Sequence, residues 1–274
     1  MTALTLPRPR ALRLPAPPDL SHHAFNVWRR DRDVYLKQWK TELFLPLIEP
    51  ILVLLGMGLG LGRFVDLGGG ESYVRFLAPG VLAQFAMFQA TFETCWGAYF
   101  KMESHGTYSA VASTPASMDD IVLGDLLWAA TRATINSVYI LAVLVAFTPN
   151  YAIVRSPLAL LVIPLAYLLG LAMGSLSLCF TAVAPAISFL GYYFSLVIIP
   201  IFWLSGTFFP VERMPGWLQP IAWASPLTEV TSTNRHLLNG ALGWDDLLHV
   251  AILLAETAVF AWIAGALVRR KLIK

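Results

Sequence analysis

Six stretches of this chain, at about 43–64, 76–100, 121–147, 157–181, 187–205 and 246–267, are each long and apolar enough to cross a bilayer as a helix. A helical crossing takes about 20 residues. Lipid offers no partner to backbone N–H and C=O groups, so a segment of this kind must satisfy its own hydrogen bonds. The expected fold is therefore an all-α polytopic membrane domain with six transmembrane helices. Composition agrees: 57% of residues are hydrophobic and 13% charged, where a soluble domain carries about 25% charged residues. That balance excludes a soluble enzyme, a disordered chain and a coiled coil.

Charge placement gives the orientation. Six crossings put both termini on one side. Residues 1–42 hold eight Lys and Arg, the C-terminal tail adds Arg269, Arg270, Lys271 and Lys274, and Lys101 follows the second span. The opposite face has Arg63, Arg75, Arg155, Arg213 and Arg235. Positive residues collect on the cytoplasmic side, so both termini are expected there, in the cytoplasmic (inner) membrane of a bacterium. A net charge of +2 gives no reason to expect nucleic acid. Cys95 and Cys179 both fall in apolar runs and suggest no disulfide framework.

Outside the spans the chain divides into distinct pieces. Residues 1–20 are rich in Pro and Arg and read as a mobile tail ahead of a membrane domain over 21–274. Residues 22–42 read as an amphipathic interface helix, with Phe25, Trp28, Tyr35, Leu36 and Trp39 on one arc and cations outside it, a pattern that suits a membrane surface. Gly68, Gly69 and Gly70 mark an outer loop. Residues 101–120 form the one substantial cytoplasmic connection. It is expected to hold a short helix, then Thr114-Pro115, then Ser117 and Asp120 as a capping box that opens the third span. Residues 206–245 are too polar to span yet rich in Trp and Pro. They read as two short outer re-entrant helices before the sixth span, with Ser225-Pro226 as a start and Gly240 as a stop.

The chemistry-bearing motifs are few. There is no phosphate-binding loop, so no ATP site is expected in this chain. The glycines at 56, 58, 60 and 62 lack dinucleotide spacing but offer small-xxx-small pairs, Gly56/Gly60 and Gly58/Gly62, for close helix packing. The five histidines have no metal-ligand spacing. Ser205 lacks the glycine two residues upstream that an intramembrane serine protease would need, since Trp203 stands there. Ionisable residues within spans are functional candidates, and Glu49, Glu93, Arg132 and Glu256 are taken from among them. Counting 1.5 Å per residue, Glu49 and Glu93 lie at one depth and are candidates for the transport path. Arg132 and Glu256 lie at another, which predicts a structural ion pair between spans three and six.

Two runs carry a resemblance. The loop with Glu103, Gly106, Thr107, Thr114-Pro115 and Gly124, and the run LSGTFFPVERMPGWLQPIAWASPLTEVTSTNRHLLNG at 204–240, resemble the ABC-2 family of ABC-transporter permeases. GMGLGLG at 56–62 and YVRFLAPGVLAQ at 73–84 are similar to the NodJ-type lipooligosaccharide exporter permeases. The resemblance implies a permease homodimer joined to two separate ABC ATPase subunits that carry the ATP and Mg²⁺. It implies that the interface helix, with Trp28 and Trp39, and the loop, with Glu103, Gly106, Thr107, Tyr108, Thr114 and Pro115, meet the ATPases. Tyr108 is the expected aromatic anchor. The first, second and fifth spans would line the dimer interface, where Phe189, Tyr192, Tyr193 and Phe194 on the fifth offer surface either to the lipid tail or sugar of an amphiphilic or lipid-linked saccharide on its path or to packing between the two permeases. An amphipathic drug is the alternative cargo. An ion-coupled secondary transporter would need internal repeats and broken helices, and a plain membrane anchor would not need the capped loop.

Overall fold

The computed structural model describes residues 20–65, 72–104 and 106–272. The expected tail, apart from Leu20, and the glycine loop at 68–70 lie outside them. Every regular element among the described residues is helical. Helix α1 (His23–Lys37) ends at Gln38, whose φ of −115° and ψ of 14° leave the helical region. Helix α2 (Trp39–Val53) comes next and continues as a π turn, Leu54–Gly60, and a 3₁₀ turn, Leu61–Arg63. The interface helix expected over 22–42 is thus divided, and its last residues open α2. Helix α3 (Tyr73–Phe92) runs on through π turns at Glu93–Gly97 and Phe100–Ser104. The loop helix α4 (Thr107–Ala112) then leads to α5 (Met118–Tyr151).

A 3₁₀ turn, Pro157–Leu161, opens α6 (Val162–Val183). The fifth apolar segment is composite: α7 (Ile187–Tyr193), a π turn at Phe194–Ile198, and α8 (Ile199–Leu204). Two short helices, α9 (Gln219–Trp223) and α10 (Pro226–Asn239), precede α11 (Trp244–Leu272). Among the described residues, four helical segments are long and apolar enough to cross a membrane: Met118–Tyr151, Pro157–Val183, Ile187–Leu204 and Trp244–Lys271. The first two expected spans fall on helical stretches 39–63 and 73–104, which are broken by prolines and π turns.

Local chemistry sets the helix ends. Ser117 Oγ accepts from Asp120 N at 3.0 Å while Asp120 Oδ2 accepts from Ser117 N at 2.9 Å, the reciprocal box that the spacing predicts. A serine also caps α10: Ser225 Oγ accepts from Leu227 N at 3.3 Å, Pro226 takes the first turn, and Gly240 closes the helix at φ +80°.

The centre of the bundle is α3, α5 and α6, with α11 laid along α6, α1 along α5, and α10 lodged against α3, α6 and α11. Small residues let these helices close. A Cβ at Gly170 would lie 2.7 Å from Ala130 Cα, and one at Gly80 2.6 Å from the Thr207 side chain. Of the two glycine pairs expected to pack, Gly58 and Gly62 face α3, where a Cβ would come within 3.2 Å of Val74 and Tyr73 respectively, while Gly56 and Gly60 are exposed.

A Cβ at Gly124 would fall 2.5 Å from Val27 Cβ and 2.7 Å from the Ala24 carbonyl oxygen. Gly124→Ala must therefore lift α1 from α5, and overpacking of this kind costs about 1–3 kcal/mol. Gly56→Ala meets nothing within 4 Å. Thermal unfolding of the purified protein should show a lower midpoint for Gly124→Ala and no loss for Gly56→Ala.

Candidate coupling junction and translocation cleft

The ends of α1, α3, α4 and α5 meet at a cluster of charges. Lys101 Nζ donates to Asp31 Oδ2 of α1 at 2.8 Å and to Asp125 Oδ1 of α5 at 3.2 Å, and lies 3.5 Å from Glu93 Oε1. Arg30 Nη2 closes on Asp31 Oδ1 at 2.6 Å. The Tyr108 hydroxyl of α4 donates to Asp125 Oδ2. Asp31, Asp125 and Tyr108 are buried. Burial pushes the Asp31 carboxyl up, but Lys101 and Arg30 outweigh it and hold it below the ordinary carboxylate value. Burial, reinforced by the Asp125 charge, holds the Tyr108 phenol well above its ordinary value, so it stays a proton donor.

A second set of contacts extends the junction. Arg132 of α5 pairs with Glu42 of α2, lies 3.9 Å from Glu93 Oε2, and sits 4.6 Å over the Tyr35 ring. Asp120 accepts from Ser21 N at 2.7 Å and Ser21 Oγ at 2.8 Å, which ties the start of α1 to the start of α5. Arg269 reaches Asp119 at 3.2 Å and Lys271 reaches Glu103 at 2.9 Å, which brings the end of α11 to the same surface.

Several expected placements are corrected by this geometry. Arg132 pairs with Glu42 rather than Glu256. Equal depth does not fix azimuth: α5 turns Arg132 toward α1 and α2, while α11 packs on α6 and α10. Glu256 Oε2 has no hydrogen-bond partner among the described residues. Tyr108 is 0% exposed, so it anchors α4 to α5 from within and presents no ring to a partner. Trp28 donates its indole N–H to Thr131 Oγ1 at 2.9 Å and meets Trp128 edge-on; it faces α5, as does Tyr35. Phe25, Leu36 and Trp39 stay exposed, so the expected single apolar arc is shared between α5 and the outside.

The loop's outward surface is made by Glu103, Gly106, Thr114 and Pro115, with Thr107 half-buried. Asp31 and Asp125 are absent from the candidates that the sequence suggests. Asp125 lies within the third expected span, where an ionisable residue is itself a signal. Asp31 occurs among exposed charges of α1, and its i+4 spacing from the buried Val27 is the only mark it carries.

The second feature is a cleft of about 530 Å³ between α2, α3, α5 and the fifth segment. Phe85, Phe88, Phe92, Phe194 and Phe202 form its wall, and Glu49, Gln84, Gln89 and Asn136 add polar groups. The Phe194 ring lies tilted against Phe88 and Phe92, with centroids 5.8 Å and 5.3 Å away. Of the other expected path residues, Phe189 and Tyr192 are exposed on α7. Tyr193 is turned away: it stacks on Phe180 at 4.2 Å and its hydroxyl is 3.1 Å from Ser177 Oγ. Glu93 belongs to the charge cluster rather than to this cleft.

A multi-pass helical bundle with a charged junction at one end and an amphiphilic cleft along its side has the makings of a transport subunit. The chain belongs to the ABC-2 type transporter family, which it matches over residues 23–237. It is an ABC transporter permease of the exporter kind, in a family whose members work in the membrane with an ABC ATPase. It is 36% identical over 250 residues to Nodulation protein J of Rhizobium leguminosarum bv. trifolii, covering 90% of this chain and 93% of that protein. It is 33% identical to Nodulation protein J of Rhizobium meliloti (strain 1021), over 90% and 92% of the two chains. A more distant relative is the daunorubicin resistance ABC transporter permease protein DrrB1 of Streptomyces coeruleorubidus, 25% identical over 90% and 85%.

The corrected ion pairing makes a sharp expectation. Residues that share an ion pair couple by about 0.5–3 kcal/mol in a double-mutant cycle. Arg132→Leu should couple to Glu42→Gln in thermal stability. The cycle of Arg132→Leu with Glu256→Leu should be additive.

Proposed function

We propose that this chain is the permease of an ATP-driven exporter that moves a lipid-linked or amphiphilic saccharide outward across the bacterial cytoplasmic membrane. Two copies would form the pathway, and two separate ATPase subunits would hold ATP and Mg²⁺. Six crossings and two cytoplasmic termini complete this reading, with the charge bias of the sequence in its favour. The observation that carries the cargo class is the cleft, where an aromatic wall and a set of carboxamides stand together. An acyl chain suits the first and a sugar suits the second. The Nodulation protein J relatives favour this cargo over the drug that the DrrB1 name suggests, because they are the more similar.

Coupling to the ATPases would run through the surface of Glu103, Gly106, Thr114 and Pro115. Beneath it, Tyr108 and Asp125 join α4 to α5. A push on α4 would therefore reach α1, α3 and α5 together.

The test is co-purification with an ABC ATPase encoded in the same gene cluster, and then ATP hydrolysis by the complex. Thr114→Arg should lower assembly or stimulated hydrolysis about tenfold, a loss typical of a residue central to an interface, with an unchanged unfolding midpoint because Thr114 is exposed. Full assembly and hydrolysis in that variant would remove the loop from the ATPase contact.

A further inference from the structure

A groove of about 200 Å³ runs between α5 and α11 at the charged end of the bundle. Val122, Leu123 and Leu126 form one wall, and Ala258, Ala261 and Gly265 form the other. Ala258 and Trp262 at its rim are exposed, so the groove opens outward from the bundle. It shares no residue with the cleft or with the charge cluster around Lys101.

The length and setting of the groove suit an acyl chain. Helix α11 is long and apolar enough to cross a membrane, and Leu254, Val259 and Ile263 on it are exposed. The natural surroundings of such a face are hydrocarbon. From Arg269 to Ala258 the helix rises roughly 16 Å at 1.5 Å per residue. That is the depth of one leaflet in a hydrocarbon core of about 30 Å.

The charged mouth selects the head. At that end of the groove Asp119 Oδ2 accepts from Arg269 Nη1 at 3.2 Å, and the next residue, Arg270, is exposed. A carboxylate offers about four acceptor positions and a guanidinium five N–H donors, so the bond between them engages only part of either. A Cβ at Gly265 would lie 3.6 Å from Asp119 Oδ1, and glycine keeps the space beneath the carboxylate clear. Opposite charges side by side complement a head whose own charges are of both signs. A phosphodiester accepts from the arginines while a primary ammonium donates to Asp119. Phosphatidylcholine has no N–H to give, and phosphatidylglycerol has no cation.

We propose that this groove holds one phospholipid of the leaflet at the charged end, with a phosphoethanolamine head on Asp119, Arg269 and Arg270 and one acyl chain along Leu126 and Ala261. It is a lipid that the permease retains, distinct from any cargo, and it does not depend on what is exported.

The experiment places the full chain in nanodiscs of equimolar phosphatidylethanolamine, phosphatidylglycerol and phosphatidylcholine with identical oleoyl chains. The protein is then released into mild detergent, and retained lipid is counted by native mass spectrometry. Phosphatidylethanolamine should be retained about tenfold over the other two, the worth of a hydrogen bond to a charged group. Asp119→Asn keeps the shape, removes the charge and should abolish most of that preference. Gly265→Leu projects into the groove and should remove the retained lipid whatever its head. Ala258→Phe fills the groove from its exposed rim and gives the same reading where Gly265→Leu lowers the unfolding midpoint. Equal retention of the three lipids by the wild-type chain, or an unchanged preference in Asp119→Asn, overturns the site. So does a preference for phosphatidylglycerol, which would leave Asp119 no part in binding. A photocrosslinking benzoylphenylalanine in place of Trp262 should carry a lipid adduct. An adduct to residues 1–19 or to a second copy would give the groove another occupant and overturn the proposal.

Discussion

The charged end of the bundle depends on Lys101. An ammonium withdrawn from water needs carboxylates close by, and this one has Asp31 from α1, Asp125 from α5 and Glu93 from its own helical stretch. No two neighbouring turns of one helix could supply that set. Three segments distant in sequence must meet, and the meeting places α1 across α5. Tyr108 then adds α4 by giving its one donor to Asp125. Gly124 makes the approach possible, since any side chain there would strike the α1 backbone. The junction is a polar lock that closes only because a small residue lets the backbones touch.

The other end is held differently. Tyr73 donates to the Phe208 carbonyl at 3.0 Å, Asn234 to the Pro79 carbonyl at 3.3 Å, and Arg235 to the Gly206 carbonyl. Gly80 admits Thr207 beside it, and Gly206 takes a φ of +71° that favours glycine. Side chains from α3 and α10 thus hold the backbone of the 205–210 turn. Between the two ends, α5 and α6 pack through Ala130, Ala133 and Gly170. The elements left outside this frame are α2 and the fifth segment. Pro46 and Pro50 remove two helical N–H donors from α2, and little of the fifth segment is buried. Both border the cleft.

The helical class, the α5 capping box and the α10 boundaries are legible in the sequence, because each depends on a local pattern: apolar length, Ser117 with Asp120, Ser225-Pro226 with Gly240. The sequence is less informative wherever azimuth matters. The depth of Arg132 can be counted, but its partner Glu42 lies on a helix whose start reads as the end of the interface segment. Tyr108 looks like a docking residue because it lies in a polar loop, and only its contact with Asp125 reveals that it points inward. Gln84 and Asn136 leave no mark at all, since an amide in an apolar helix does not disclose what it faces.

π turns connect these observations. Among the described residues they occur in the first, second and fifth apolar segments, at Leu54–Gly60, Glu93–Gly97, Phe100–Ser104 and Phe194–Ile198. A π turn inserts a residue and rotates the helix beyond it, and such turns are frequent at functional sites. Here Glu93 opens one turn and faces the charge cluster, while Phe194 opens another and faces the cleft. Without the turn at Glu93, the face of α3 that carries Phe85, Phe88 and Phe92 would run on in uniform register toward Lys101. The turn lets one helix serve two surfaces, an aromatic wall above and an ion cluster below. It also makes the wall and the cluster parts of one continuous helical stretch.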